Sequence, residues 1–202
     1  MSSVQVRETD IESIKARIRE AILAKRNSQS FSECLGKSHK IKEKLFSLPE
    51  FKESSRVVFY LALPQEVQTK DMAREAIGLG KKVILPRVAS TGDTLVLSEV
   101  RDIERELEPG MFGILEPKEG FYRPVTLAEA ELIILPGIAF DLQGHRIGFG
   151  KGFYDKLLSQ ANAPIFTIGL AFEFQLVPEI PVVGHDVKMC KIITEKRIIS
   201  CD

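Results

Sequence analysis

No charge of either sign dominates this chain: 28 lysines and arginines balance 28 aspartates and glutamates across 202 residues. A general binder of nucleic acid or of an anionic membrane usually carries a basic excess. Neither class is expected, and any anion binding must be local. No apolar run approaches the roughly 20 residues needed to cross a bilayer. The first residues, MSSVQVRETDIES, lack the apolar stretch of a secretory signal and carry acids that a transit peptide avoids. Cysteine is scarce, and Cys34, Cys190 and Cys201 lack the paired spacing of a metal or redox motif. An odd count without a signal predicts reduced thiols, used as packing, in a cytoplasmic protein. No internal repeat or low-complexity segment is present. With 44% hydrophobic residues, residues 1–202 suit a single domain with a proper core.

What is present is an alternation of helical and strand patterns. Ile11, Ile14, Ile18 and Ile22 recur three and four apart over residues 10–26, predicting an amphipathic helix with Asp10 as its N-cap. A second helix is expected from Ser32, as cap, to Ser47, stopping before Pro49. RVVFYLAL (56–63) reads as a buried strand. A helix opened by Thr69 and ended near Gly78 and Gly80, then a strand at 83–85, completes a β-α-β unit. Residues 89–125 hold the strand LVLSEV and then a run of Pro and Gly, an excursion that could carry a β-ribbon. ELIILPGIAF restores a buried strand ending at Pro136-Gly137, and a helix is expected from Phe153 to Gln160. IFTIGLAF and IITEKRII supply further strands. The alternation predicts an α/β sandwich around a mainly parallel sheet. In such folds ligands sit beyond the carboxyl ends of the strands, which singles out the segments 63–66 and 136–137.

Just downstream of the second lies GHRIGFGKGFYDKLL (144–158). Gly144, Gly148, Gly150 and Gly152 can adopt positive φ and let backbone N–H groups approach an anion. A following helix start, Arg146 and Lys151 add positive charge. The spacing matches neither a Walker loop nor a dinucleotide fingerprint. Two readings stand at this point, a phosphate cradle or a flexible turn with solvated charges. Asp155, within the first helical turn, either offsets the helix dipole or holds magnesium beside phosphate. Taken alone, Lys15 and Arg19 read as a solvated basic edge, Glu66 as a loop carboxylate without a task, and His39 as exposed. The pair His185-Asp186 is a weak metal signal.

PGIAFDLQGHRIGFGKGFYDKLL (136–158) closely resembles the signature of the 5-formyltetrahydrofolate cyclo-ligases, also called 5,10-methenyltetrahydrofolate synthetases. The family's Lys-x-x-x-Arg on the first helix is matched by Lys15 and Arg19. Its glutamate after a strand is matched in YLALPQEVQT, and its C-terminal block in HDVKMCKIITEKRI. Cys190 departs from the pattern, standing where many relatives have a second aspartate. Phe149 and Phe153 stand where tyrosine or arginine is common, which keeps ring stacking but removes hydroxyl bonding.

The resemblance implies a three-layer fold like that of sugar-phosphate isomerases and CoA transferases, so a sugar phosphate in the cradle is one rival reading. The other, a folate-binding module that has lost catalysis, is disfavoured because Lys151 and Asp155 are both present. The resemblance also implies ATP as co-substrate with Mg²⁺ and small-molecule partners only; a monomer is expected. ATP would be held by Lys15, Arg19, Arg146, Ile147, Gly148, Phe149, Gly150, Lys151, Gly152, Phe153 and Tyr154. Folate would be held by Leu61, Glu66 and the same 149–154 loop. Arg146 and Lys151 would be catalytic, and Asp155 and Asp186 would hold the metal.

Overall fold

A computed structural model describes residues 8–161, 164–182 and 186–201. In chain order the elements are α1 (Glu8–Asn27), α2 (Phe31–Ser47), α3 (Pro49–Glu53), β1 (Arg56–Val58), α4 (Lys70–Gly78), β2 (Lys82–Val88) and β3 (Leu95–Val100). There follow β4 (Leu107–Pro109), β5 (Leu115–Pro117), β6 (Pro124–Val125), β7 (Leu132–Leu135), β8 (Ala139–Phe140) and β9 (Arg146–Ile147). The chain ends with α5 (Phe153–Leu158), β10 (Phe166–Leu170), β11 (Lys191–Ile193) and β12 (Ile198–Ser200).

The main sheet runs β12-β11-β10-β7-β1-β2-β3-β6. Its centre, β11-β10-β7-β1-β2, is parallel, while β12, β3 and β6 add antiparallel edges. The α/β architecture with a mainly parallel sheet is therefore as expected. Strand alternation divides the core into two faces. Val57, Val83, Leu85, Leu132 and Ile134 pack under α2, α3 and α4 with Ile41, Leu45, Phe51 and Met72. Val58, Ile84, Ile133 and Leu135 face the other way, onto Phe140, Leu157 and Leu158. All four residues of β7 are fully buried, and each contributes about 2 kcal/mol of apolar burial. Helices and hairpins on both sides of one sheet make three layers.

Several local expectations need correction. Asp10 lies inside α1, which begins at Glu8. Ser30, not Ser32, caps α2: its hydroxyl accepts the Glu33 N–H at 3.2 Å, and Glu33 accepts the Ser30 N–H at 2.9 Å. That capping box has the S-x-x-E pattern in the sequence. Thr69 precedes α4 but does not cap it through its side chain; its hydroxyl donates to the Tyr60 carbonyl instead. Only Arg56–Val58 of the 56–63 run is strand, and the chain then leaves the sheet toward the cavity. IITEKRII forms a hairpin: the Thr194 N–H donates to the Arg197 carbonyl at 2.9 Å, turning β11 into β12. α5 stops at Leu158. The 89–125 excursion does contain a ribbon, β4 with β5.

Gly144 shows why glycine is required at one corner. Its φ is +91°, and an added Cβ would stand 2.5 Å from the Met189 carbonyl oxygen and 2.8 Å from Cys201 Cβ. Gly80 has φ +83° with nothing within 4 Å. Gly144→Ala is expected to cost about 3 kcal/mol, backbone strain plus steric clash, against about 1 kcal/mol for Gly80→Ala. Urea unfolding of the two variants checks this, and equal losses would refute the close-approach argument.

Candidate functional site

The carboxyl ends of β1, β2 and β7 open into a cavity of about 800 Å³. Both strand ends singled out in the sequence reach it, through Leu63 and Glu66 and through Pro136 and Gly137. The structure brings every expected site residue to this one cavity. Lys15, Arg19, Leu61, Glu66, Arg146 to Asp155 without a gap, and Asp186 all line it. His185 lies outside the described residues.

The glycine loop is presented by a tightly held hairpin. β8 pairs with β9, and the connecting corner is organised by the fully buried Asp141. Its carboxylate accepts the N–H groups of Gln143 (3.0 Å), His145 (2.9 Å) and Ile180 (3.0 Å), and meets His145 Nδ1 at 2.8 Å. Four partners offset the cost of burying this carboxylate. Beyond β9 the chain relaxes into the loop. Gly150 and Gly152 have positive φ, +87° and +65°, but Gly148 does not. α5 has only six residues, so the local positive field comes mainly from side chains.

Those side chains come largely from α1. The buried face of α1 keeps part of the isoleucine stripe and adds cations to it: Ile22 is 3% exposed with Ile18 packed beside it, whereas Ile14 is 41% exposed and Lys15 and Arg26 are 8% and 3% exposed. At 3.6 residues per turn, Lys15, Arg19, Ile22 and Arg26 fall within about 60° of one another. The bland reading of Lys15 and Arg19 as a solvated edge is thereby overturned. Lys15 Nζ donates to Asp186 Oδ2 at 2.7 Å, and Arg19 Nε donates to the Gly148 carbonyl at 3.0 Å. Arg146 Nη2 donates to Asp155 Oδ1 at 2.7 Å, and its guanidinium lies 5.6 Å from the Tyr154 ring centre. Arg146 Nε is buried and has no hydrogen-bond partner. Lys151 is exposed beside the cavity, its ammonium making no ion pair among the described residues.

Glu66 is likewise no idle loop carboxylate. Only 6% exposed, it accepts from Arg26 Nη1 at 3.3 Å and from the Leu63 N–H at 3.0 Å. Burial pushes its pKa up, and Arg26 and the Leu63 N–H oppose that rise. Tyr60 is buried next to it, its hydroxyl donating to the Val67 carbonyl at 3.0 Å, and burial pushes the phenol pKa up.

Sequence reasoning missed three groups. Arg26 was legible, eleven residues after Lys15 and so on the same helical face. Arg87, Val88 and Leu95 belong to the β2–β3 hairpin, and Met111, Ile114 and Leu115 to the ribbon; together they form a largely apolar wall. Only packing of the ribbon on β2 brings them there, and no spacing in the chain marks it.

Asp155 and Asp186, the expected magnesium ligands, both line the cavity, each paired with a cation. No group of three or more His, Cys, Asp or Glu poised for a metal occurs among the described residues. Magnesium commonly takes one or two carboxylates and completes its shell with phosphate oxygens and water. Two hard carboxylates beside a cationic loop fit that habit. No helix among the described residues is long and apolar enough to cross a membrane.

A parallel α/β sheet with a cationic glycine loop over its carboxyl ends defines a class of small-molecule enzymes. Within it, this chain belongs to the 5-formyltetrahydrofolate cyclo-ligase family, whose profile matches residues 11–195. A 5-formyltetrahydrofolate cyclo-ligase of Mycolicibacterium smegmatis is 32% identical over 186 residues, covering 91% of this chain and 94% of the relative. The Mus musculus cyclo-ligase is 28% identical over 193 residues, covering 92% and 95%. The solution structure of Aquifex aeolicus 5,10-methenyltetrahydrofolate synthetase superposes with a TM-score of 0.82 at 35% identity, covering 93% of each chain.

The Asp141 anchor is open to direct test. Asp141→Ala removes an acceptor and leaves three backbone N–H groups and His145 without it. The expected loss of stability is about 3 kcal/mol, read by urea unfolding. A variant as stable as the parent would remove Asp141 from this role.

Proposed function

We propose that the enzyme converts 5-formyltetrahydrofolate to 5,10-methenyltetrahydrofolate, consuming ATP and releasing ADP and phosphate. One observation carries the reading: a loop of glycines and cations shares a single cavity with a buried carboxylate and an apolar wall. The first suits a triphosphate, the others a flat, hydrogen-bonding heterocycle.

The chemistry asks for positioned charge. An amide-like formyl oxygen is a poor leaving group. It attacks the γ-phosphorus of ATP, the bond to the bridging oxygen breaks, and ADP departs. Nitrogen 10 then attacks the activated carbon and loses its proton, and phosphate leaves with the former formyl oxygen. Holding the two substrates in line and offsetting the charge on the transferred group are the protein's tasks. Lys15, Arg19, Arg146 and Lys151, with loop N–H groups from 147 to 154, hold the triphosphate. Asp155 and Asp186 would hold Mg²⁺, which neutralises charge on the phosphate oxygens. Leu61, Phe149, Phe153 and Tyr154 pack against the folate, and Glu66 accepts hydrogen bonds from its pterin ring. The enzyme acts as a single domain and a monomer in the cytoplasm, where cysteines stay reduced.

Mixing protein, ATP, magnesium and 5-formyltetrahydrofolate is expected to raise the near-ultraviolet absorbance of the methenyl product, and chelation abolishes the rise. No ATP-dependent rise would sink the proposal. Turnover that proceeds without nucleotide would favour the sugar-phosphate-like alternative for the cradle. Lys151→Ala is expected to lower kcat by about 100-fold, the scale for losing one group that stabilises developing charge; near-normal kcat at saturating ATP would remove the lysine from catalysis. Glu66→Gln is expected to raise the KM for folate about tenfold, roughly 1.4 kcal/mol, with little change in the KM for ATP. An unchanged folate KM would take Glu66 out of the pocket.

A further inference from the structure

We propose that Arg26 is a positioning residue of the folate wall, holding Glu66 in place as its ionic partner and seating the Phe149 ring. The inference rests on the cyclo-ligase reading above and adds a residue to it.

Arg26 closes the last turn of α1 and is buried with Glu66; the two side chains are 3% and 7% exposed. One nitrogen, Nη1, donates to Glu66 Oε1 at 3.3 Å. The guanidinium carbon lies 5.4 Å from the Phe149 ring centre, within cation–π range. Its Nε is buried without a hydrogen-bond partner. A buried arginine with an unpaired nitrogen is costly to keep. Its geometry is better suited to fixing two neighbours than to adding stability.

Both neighbours line the cavity, and they come from segments 83 residues apart (149 − 66). Glu66 is also restrained from its own side. Its backbone carbonyl accepts from Cys34 Sγ at 3.0 Å and Gln68 Nε2 at 2.8 Å, so the carboxylate cannot swing away with the loop. Phe149 has no such restraint. Its ring is 52% exposed in a glycine-flanked loop, and the guanidinium is the charged group stacked against it. Arg26 thus joins the helix that carries Lys15 and Arg19 to the opposite, folate-facing part of the cavity.

The charge state of Glu66 follows from the same contacts. Arg26 from α1, Tyr60 beyond β1, Tyr154 on α5 and Cys34 on α2 surround it. Among these four groups only Arg26 brings positive charge. Burial favours the protonated acid, and the guanidinium opposes this. Without Arg26, the pKa of Glu66 moves further up, so folate binding that needs the carboxylate recovers only at higher pH.

The test compares Arg26→Gln, Arg26→Lys, Glu66→Gln and the double variant Arg26→Gln/Glu66→Gln in the methenyl assay. Arg26→Gln is expected to raise the folate KM at least tenfold at neutral pH and to leave the ATP KM within twofold. The acidic limb of its kcat/KM profile for folate shifts upward. In the Glu66→Gln background that shift disappears, and the second substitution adds less than half its single effect on KM. Arg26→Lys, which keeps the charge without the planar fork, is expected to fall between wild type and Arg26→Gln. It keeps the comparison intact if Arg26→Gln does not fold. Full additivity, an unshifted pH limb, or an equal rise in both KM values would overturn the positioning role. A wild type without turnover overturns the cyclo-ligase reading and this proposal with it; an active wild type with any of those three results overturns this proposal alone.

Discussion

The cavity depends on one burial, that of the charged face of α1. Lys15 and Arg26 are almost removed from water, and Arg19 partly so. Each has found a partner from a distant part of the chain: Asp186, Glu66 and the carbonyl of Gly148. Taking a cation out of water costs several kcal/mol, which a well-placed partner offsets without large surplus. Such pairs add little to net stability. They do make wrong registers expensive, since a slipped helix would strand three positive charges. The helix is thereby held against the glycine loop, the C-terminal segment and the turn after β1 at once.

Rigidity and freedom are divided along the chain between 136 and 158. The buried carboxylate of Asp141 fixes the hairpin corner with four contacts, and Gly144 lets that corner lie against Met189. Immediately afterwards Gly150 and Gly152 turn with positive φ, and Phe149 and Lys151 stand exposed beside the cavity. A fixed base and a compliant tip suit a loop of the kind that binds and releases a ligand. The short α5 adds little dipole of its own, so the cations of α1 and Arg146 set the field.

The far wall has a different origin. The ribbon β4–β5 and the β2–β3 hairpin supply Met111, Ile114, Leu115, Val88 and Leu95. Apolar surface there and charge on the side of α1 and the glycine loop give the cavity two characters in one volume. Arg26, reaching from the charged helix to Glu66 and Phe149, is where the two meet.

Much of this was legible from residues alone. Alternating apolar runs separated by Gly and Pro determine the parallel core strands, because a strand covered on both faces must be apolar throughout. The glycines and cations of 144–155 mark a loop suited to an anion, because such residues combine close backbone approach with positive charge. All fifteen expected site residues line one cavity. Tertiary structure alone decided how far the buried face of α1 turns from the isoleucine stripe: Ile22 stays buried and Ile14 is exposed, while ion pairing with Asp186 and Glu66 draws Lys15 and Arg26 inside. It also decided where β1 ends, that 191–200 folds back as a hairpin, and that the ribbon closes the cavity. These outcomes rest on contacts between segments far apart in the chain, and local periodicity carries no information about partners it cannot reach.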